Sequence, residues 1–313
     1  MKLTTSIKIS KSQVELTHNQ YITLIGSCFS QNIGNKLAYH KFKTNDSSFG
    51  TVFNPISIAN NLTRLINQQL YTENDFYNFE GKKLVNFNNQ FSSFDTEITN
   101  TLKRENESLA KDIEHFKASK TLIITFGTAW VYQFNETQQI VANCHKIPNT
   151  NFTKHLLSVK EIIAVYQPII EQLKHLNIIF TVSPVRHSKD GLHENNLSKS
   201  TLHLAINNLV EQHQNCSYFP AYEIVIDELR DYRFYKDDLV HPTDLAVNYV
   251  WDKFGECYFN EETKNLNSEI AKIQNALAHK PFNTESEEYQ KFVANTQQQI
   301  AALKEKYPFL DFV

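Results

Sequence analysis

Three short, near-continuous apolar stretches stand out along the chain: Tyr21 to Ile25 (YITLI), Thr121 to Phe126 (TLIITF) and Leu176 to Val182 (LNIIFTV). Runs this short, apolar at successive positions, read as strands covered on both faces of a parallel sheet. Each is followed, at once or after a loop, by helix-spaced positions. Phe29, Ile33 and Leu37 recur every four residues, and Ile58, Leu62, Leu65 and Ile66 make a second stripe, with Asn54 as N-cap and Pro55 as first helical residue. Ser158 and Glu161 form a capping box at the start of a third helix, and Leu202, Ala205, Ile206, Leu209 and Val210 share one face of a fourth. Strand alternating with helix predicts a doubly wound α/β fold with a mainly parallel sheet.

Two segments break the rhythm. Tyr71 to Lys120 is too long for a connection and reads as an insertion: a polar, aromatic-rich hairpin around Gly81, then a helix carrying Ile98, Leu102, Leu109, Ile113 and Phe116. Beyond Phe259 two helical patterns follow, Ile270 to Leu277 and Phe292 to Leu303, separated by Pro281 and restarted by a capping box of Thr284 and Glu287. The expected organisation is an α/β domain over residues 1–259, with its insertion at about 71–120, and a helical hairpin over 260–313 packed on it.

Composition changes the picture in three ways. With 313 residues, 41% of them hydrophobic, the chain can bury a substantial core. A net charge of -3 provides no basic field for nucleic acid or anionic lipid, so neither is an expected partner. The opening MKLTTSIKISKSQVELTHNQ has no continuous apolar core, no later run approaches a membrane span, and Cys28, Cys144, Cys216 and Cys257 lie far apart with no CxxC pair. A cytoplasmic, reducing location is therefore expected, without a disulfide framework or a cysteine-rich zinc site.

Ligands of open α/β sheets gather at the carboxyl ends of the strands. Those ends carry Gly26, Ser27 and Cys28 after the first strand, Gly127 and Thr128 after the second, and Ser183, Pro184, Arg186 and His187 after the third. Late in the sheet pattern, Asp238 and His241 stand three apart, just before a helix with Ala246, Tyr249, Val250 and Phe254 on one face. A hydroxyl or thiol attacks an acyl carbon once an imidazole takes its proton, and a carboxylate fixes the imidazole tautomer and stabilises its cation. An early nucleophile with a late D-x-x-H turn is an arrangement that hydrolases use.

Seven ordered motifs, GSCF (Gly26 to Phe29), FGTVFNP (Phe49 to Pro55), TFGTAWVY (Thr125 to Tyr132), NCHKIP (Asn143 to Pro148), SPVRHSKDG (Ser183 to Gly191), DELRDYRFY (Asp227 to Tyr235) and DLVHPT (Asp238 to Thr243), resemble the signatures of the GSCFA family, over roughly Ile22 to Phe254. That family is placed among the SGNH, or GDSL-like, hydrolases. The resemblance implies a flavodoxin-like three-layer fold and an esterase-like site needing no metal or organic cofactor. It carries Asp238 and His241 onto the last hydrolase block and Cys28 onto the nucleophile position; a slip of one residue would restore Ser27. Gly50 would be the second block's glycine. The third block reads Gly127-Thr128-Ala129-Trp130, without the asparagine that donates to an oxyanion, so Asn54, Asn143 or the backbone N–H groups of Cys28 and Gly50 are the candidate replacements.

Each residue also has a structural reading. Ser27 and Cys28 would cap the first helix and fill a gap beneath it, and His241 would bond locally at a helix start. His145 beside Cys144 suggests a second pair but reads better as local packing. Arg186 and His187 suit a carboxylate or phosphate, or else a salt bridge to Asp190 or Glu194. His187, His193, His145 and Asp238 have no metal-ligand spacing. The leading expectation is an acyl-ester hydrolase or acyltransferase acting on a small-molecule or glycan O-acyl ester. The rival is an inactive binding module that holds an acidic or glycan ligand through Arg186 and the tyrosines.

Overall fold

The computed structural model describes residues 5–45, 47–90, 92–93, 97–281 and 283–312, with backbone alone at 92–93. In chain order the elements are β1 (Tyr21–Gly26), α1 (Cys28–Tyr39), β2 (Lys43–Thr44), α2 (Pro55–Ile66), β3 (Tyr77–Phe79), β4 (Lys83–Val85), β5 (Ser92–Ser93) and α3 (Ile98–Ala118). Then come β6 (Ser119–Phe126), β7 (Trp130–Phe134), β8 (Ile140–Val141), β9 (Phe152–Leu156), α4 (Val159–Gln172), β10 (Asn177–Val182) and α5 (Leu192–Gln212). The chain closes with β11 (Cys216–Tyr218), the short turn α6 (Ala221–Glu223), α7 (Asp244–Tyr258), α8 (Glu261–Ala278) and α9 (Glu287–Lys306).

Five strands pair in the order β11-β10-β6-β1-β2, every pair parallel. Counted along the chain this is 2-1-3-4-5, the flavodoxin-like doubly wound order. Alternating residues of the strands feed two cores. Ile22, Leu24, Ile123 and Ile179 pack with Phe29, Ile33 and Leu37 of α1 and Val250 and Phe254 of α7. Ile25, Leu122, Ile124, Ile178 and Phe180 pack on the other face with residues of α2, α3, α4 and α5. The two-sided cover explains why these strands carry no polar alternation. No helix among the described residues is long and apolar enough to cross a membrane.

Gly26 makes the turn out of β1. Its φ is 140°, and a Cβ there would lie 2.2 Å from the Thr125 carbonyl oxygen of β6, so only glycine lets the two strands meet as α1 begins. The Ser27 N–H then donates to that same oxygen at 3.0 Å.

Two expectations need correction. The 71–120 segment is not wholly an excursion: β3, β4 and β5 form a small antiparallel sheet, but α3 places Leu109, Ile113 and Phe116 in the main core and is the crossover helix into β6. The restart of the last helix is also shifted. Ser286, not Thr284, is the N-cap, its hydroxyl accepting from the Tyr289 N–H at 3.2 Å. The α8–α9 hairpin has its own core of Leu266, Ile270, Ile273, Ile300, Leu303 and Leu310. It is joined to the end of α1, where the Tyr39 hydroxyl donates to the Asn275 side chain at 2.8 Å.

Candidate active site

Cys28 is the first residue of α1 and half-buried at the carboxyl end of β1. Burial pushes its thiol up; the Lys199 ammonium, the N–H groups of Phe29 and Cys28, and the Lys236 ammonium pull it back down. Ser27, one residue earlier, looks elsewhere. It is 2% exposed, its hydroxyl caps nothing and has no hydrogen-bond partner among the described residues. Ser27 lines a groove of about 1050 Å³ on the β2 side of the sheet, shared with Ser30, Gly50, Gln90 and Arg104; Cys28, Asp238 and His241 do not line it.

The D-x-x-H turn is closed by backbone bonds. The Lys236 N–H donates to the His241 carbonyl at 2.8 Å, and Leu239 takes a left-handed φ of 58°. Inside it, one Asp238 carboxylate oxygen accepts the N–H groups of Val240 and His241, each at 2.9 Å. The other accepts His241 Nδ1–H at 2.7 Å. The two backbone donors first, and the imidazole next, hold the Asp238 carboxyl down at about 2. Because the carboxylate can only accept, Nδ1 carries the proton and the lone pair of the neutral ring lies on Nε2. Thr243 then caps α7 through the Ala246 N–H. Lys236, in this same turn, is near enough for its ammonium to act on Cys28, as the smallest of the contributions that lower the thiol.

Behind the thiol lies a group that the motifs do not announce. Lys199 of α5 is 2% exposed, yet its ammonium donates to the carbonyls of Gly127 at 2.6 Å and Ser183 at 2.7 Å, at the ends of β6 and β10. Burial pushes it down to about 7, and the Cys28 sulfur acts in the opposite direction. His187 sits beside it with its ring edge-on to Phe53 at 5.9 Å. Burial first, then the Lys199 charge, push His187 down to about 4, and His241 is near enough to contribute.

The GSCFA family model matches residues 21–254, and the model of a GSCFA domain protein, C-terminal domain, matches residues 270–313. This chain belongs to the GSCFA family. No curated protein and no solved structure matches it.

In this GSCFA protein the remaining predicted residues divide by what already occupies them. Asn54 is the N-cap of α2: its carbonyl accepts from Ser57 N–H at 2.8 Å and its amide donates to Ser57 Oγ and the Val141 carbonyl. Asn143 is likewise committed, accepting from the His145 N–H at 2.7 Å and donating to the Gln90 carbonyl at 3.4 Å. The Gly50 N–H donates to Ser47, and the N–H groups of Gly127 and Thr128 both donate to the Phe53 carbonyl, at 2.8 and 3.2 Å. A Cβ at Gly127 would stand 3.1 Å from that carbonyl, so this glycine serves the approach of Phe53. The Thr128 hydroxyl bonds Ser198 at 3.0 Å and ties the loop to α5.

His145 is 5% exposed, with its Nε2 on the Asn86 carbonyl, and burial pushes the Cys144 thiol up to about 11; this pair is packing. Neither acid expected for Arg186 takes it. Asp190 pairs with Lys154, and Arg186 has no carboxylate partner among the described residues. Arg186 instead lies by Tyr222 and Tyr235, whose burial-raised phenols its charge pulls back. Lys199 was legible in one respect: Asn195, Lys199, Leu202, Ile206 and Leu209 form a single buried stripe of α5. A lysine at a core position of such a stripe is costly and hence a signal.

Proposed function

We propose that this GSCFA protein is an acyl-ester hydrolase or acyltransferase of the SGNH type, with Cys28 as nucleophile, His241 as general base and then acid, and Asp238 as its orienter. The observation that carries the reading is the Asp238–His241 bond at 2.7 Å, in a turn whose Lys236 acts on the Cys28 thiol. The 2-1-3-4-5 strand order and the strand-end placement of Cys28 support it. Ser27 is set aside because it lines the separate groove.

The chemistry balances on these residues. Cys28 Sγ attacks the acyl carbon while its proton passes to His241 Nε2. The tetrahedral intermediate collapses, the C–O bond breaks, and the leaving alkoxide takes that proton, leaving a thioester. Water, or an acceptor hydroxyl, then gives its proton to His241 and attacks the thioester, and the thiolate leaves and is reprotonated. The substrate class is a small O-acyl ester such as an acetylated sugar, handled in the reducing cytoplasm, which the four free cysteines support.

Short-chain p-nitrophenyl esters and acyl-CoA donors, offered to wild type, Cys28→Ala, Ser27→Ala and His241→Ala, test this. Loss of about 10²-fold or more is expected in Cys28→Ala and His241→Ala, with Ser27→Ala nearly unchanged. Equal trace activity in all four overturns it in favour of a second reading, a binding module for an acidic ligand. That reading is favoured by one observation: Arg186, beside Tyr222 and Tyr235, has no acid partner among the described residues.

A further inference from the structure

An acyl-transfer site must stabilise negative charge twice, on the attacking sulfur and then on the carbonyl oxygen. The side chains and backbone groups best placed by motif to do so are spent. Asn54, Asn143 and the N–H groups of Gly50, Gly127 and Thr128 all donate elsewhere, and the Ser27 N–H is held by Thr125. Among the described residues two cationic donors are left at the strand ends besides the first N–H groups of α1: the Arg186 guanidinium, which lies by Tyr222 and Tyr235, and the buried Lys199 ammonium. Lys199 has three N–H bonds, and two of them reach the Gly127 and Ser183 carbonyls.

A buried ammonium without a counter-ion is expensive, and it is retained where its charge is used. No carboxylate pairs with Lys199 among the described residues; Glu223, on α6, is taken by the Tyr218 hydroxyl at 2.7 Å and by His203. The titratable groups that do face Lys199 are Cys28 from α1, His187 from the loop after β10, His203 one turn along α5, and Tyr222, whose ring lies 5.8 Å from the ammonium. Of these, Cys28 stands on the neighbouring strand end: Gly26 of β1 pairs with Thr125 of β6, the Ser27 N–H donates to the Thr125 carbonyl, and Lys199 holds the Gly127 carbonyl two residues further along. In keeping with that placement, the sulfur raises the lysine and Lys199 lowers the thiol.

We propose that Lys199 is the charge partner of Cys28: its ammonium, held on the ends of β6 and β10, stabilises the thiolate and then the oxyanion, in place of the absent asparagine. The oxyanion half rests on the acyl-transfer reading above; the thiolate half does not. The coupling is reciprocal, since each group favours the charged form of the other.

The test reads Cys28 directly, by iodoacetamide alkylation resolved by peptide mass spectrometry. In Lys199→Met the Cys28 rate at pH 7 should fall about tenfold, the equivalent of one unit of thiol pKa, while Lys199→Arg, which keeps a permanent charge, should restore most of it. A folded Lys199→Met with an unchanged Cys28 rate overturns the proposal, and so does an arginine variant as slow as the methionine one. Should neither variant fold, the wild-type protein decides. Lysine-detected NMR titration before and after capping Cys28 with an uncharged methylthio group should show Lys199 titrating at lower pH once the thiol is gone, and an unmoved titration overturns the pairing. In the ester assay Lys199→Met should lose about 10²-fold, and full activity there overturns the oxyanion half. If no ester is turned over even by wild type, the acyl reading fails, while the alkylation result still decides the pairing.

Discussion

The Nδ1 proton of His241 is fixed by Asp238, and in the proposed chemistry that single bond determines which nitrogen serves as base. In Asp238→Asn the amide oxygen can still accept both backbone N–H groups, but its NH₂ would donate to Nδ1 and move the ring proton to Nε2, removing the proposed base. A loss of about 10²–10⁴ in kcat/KM is expected without loss of fold, measured on the same esters with unfolding followed alongside. The acid limb of a pH–rate profile should not belong to this carboxyl. Its value lies below the ordinary 3.8, so its support is complete above about 4 and is lost only as pH falls through about 2. Asp238 and His241 were legible in the sequence because their geometry is local, three residues apart within one turn. The choice between Ser27 and Cys28 was not, since spacing cannot tell that Ser27 lines the groove beside β2 and Cys28 does not. The stripe of α5 marks Lys199 as buried, but its bonding was hidden for a related reason: its partners Gly127 and Ser183 are 72 and 16 residues away, and only the sheet brings them together.

At the level of elements, hydrophobic period and capping chemistry placed β1, β6 and β10 to within a residue or two and located the starts of α2 and α4, whose caps are the side chains of Asn54 and Ser158. They failed where two signals competed. Thr284 with Glu287 and Ser286 with Tyr289 both offer a start to α9, and the structure uses the serine. Ser286→Ala should therefore cost about 1 kcal/mol in chemical denaturation of the α8–α9 hairpin, while Thr284→Ala should be close to neutral. Helix α3 was misassigned because length alone suggested an insertion, whereas its apolar stripe belongs to the sheet's cover. Gly26 makes a harsher demand than any cap. Gly26→Ala would press a methyl group onto the Thr125 carbonyl at 2.2 Å in a left-handed backbone, and a loss of more than about 3 kcal/mol in unfolding free energy is expected, with the β1–α1 junction displaced.

For the whole molecule, the doubly wound layering with a mainly parallel sheet was the most legible feature, because two-sided burial leaves an unbroken apolar signature in each strand. How the carboxyl-terminal hairpin attaches was not legible, as its links are polar and distant. His18 donates to the Asn267 side chain at 2.9 Å and stacks on Phe42, while His40 donates to the Asn267 carbonyl at 3.2 Å and stacks on Trp251. Burial pushes both imidazoles down to about 4, as it does His187. Unfolded histidines take up protons near 6.5, so between pH 6.5 and 4 the unfolded chain binds more protons and stability falls as the pH is lowered; below about 4 this contribution levels off. Thermal midpoints measured across that window should drop steadily, and the slope should be shallower in His40→Gln.

The clasp at Asn267 has a mechanical side. Helix α1 is a 12-residue rod, about 18 Å long, with the thiol on its first turn and the grip of α8 at its last. A pull on the hairpin is therefore transmitted along a stiff axis instead of being absorbed by loops, and the sulfur stands at the far end of the lever.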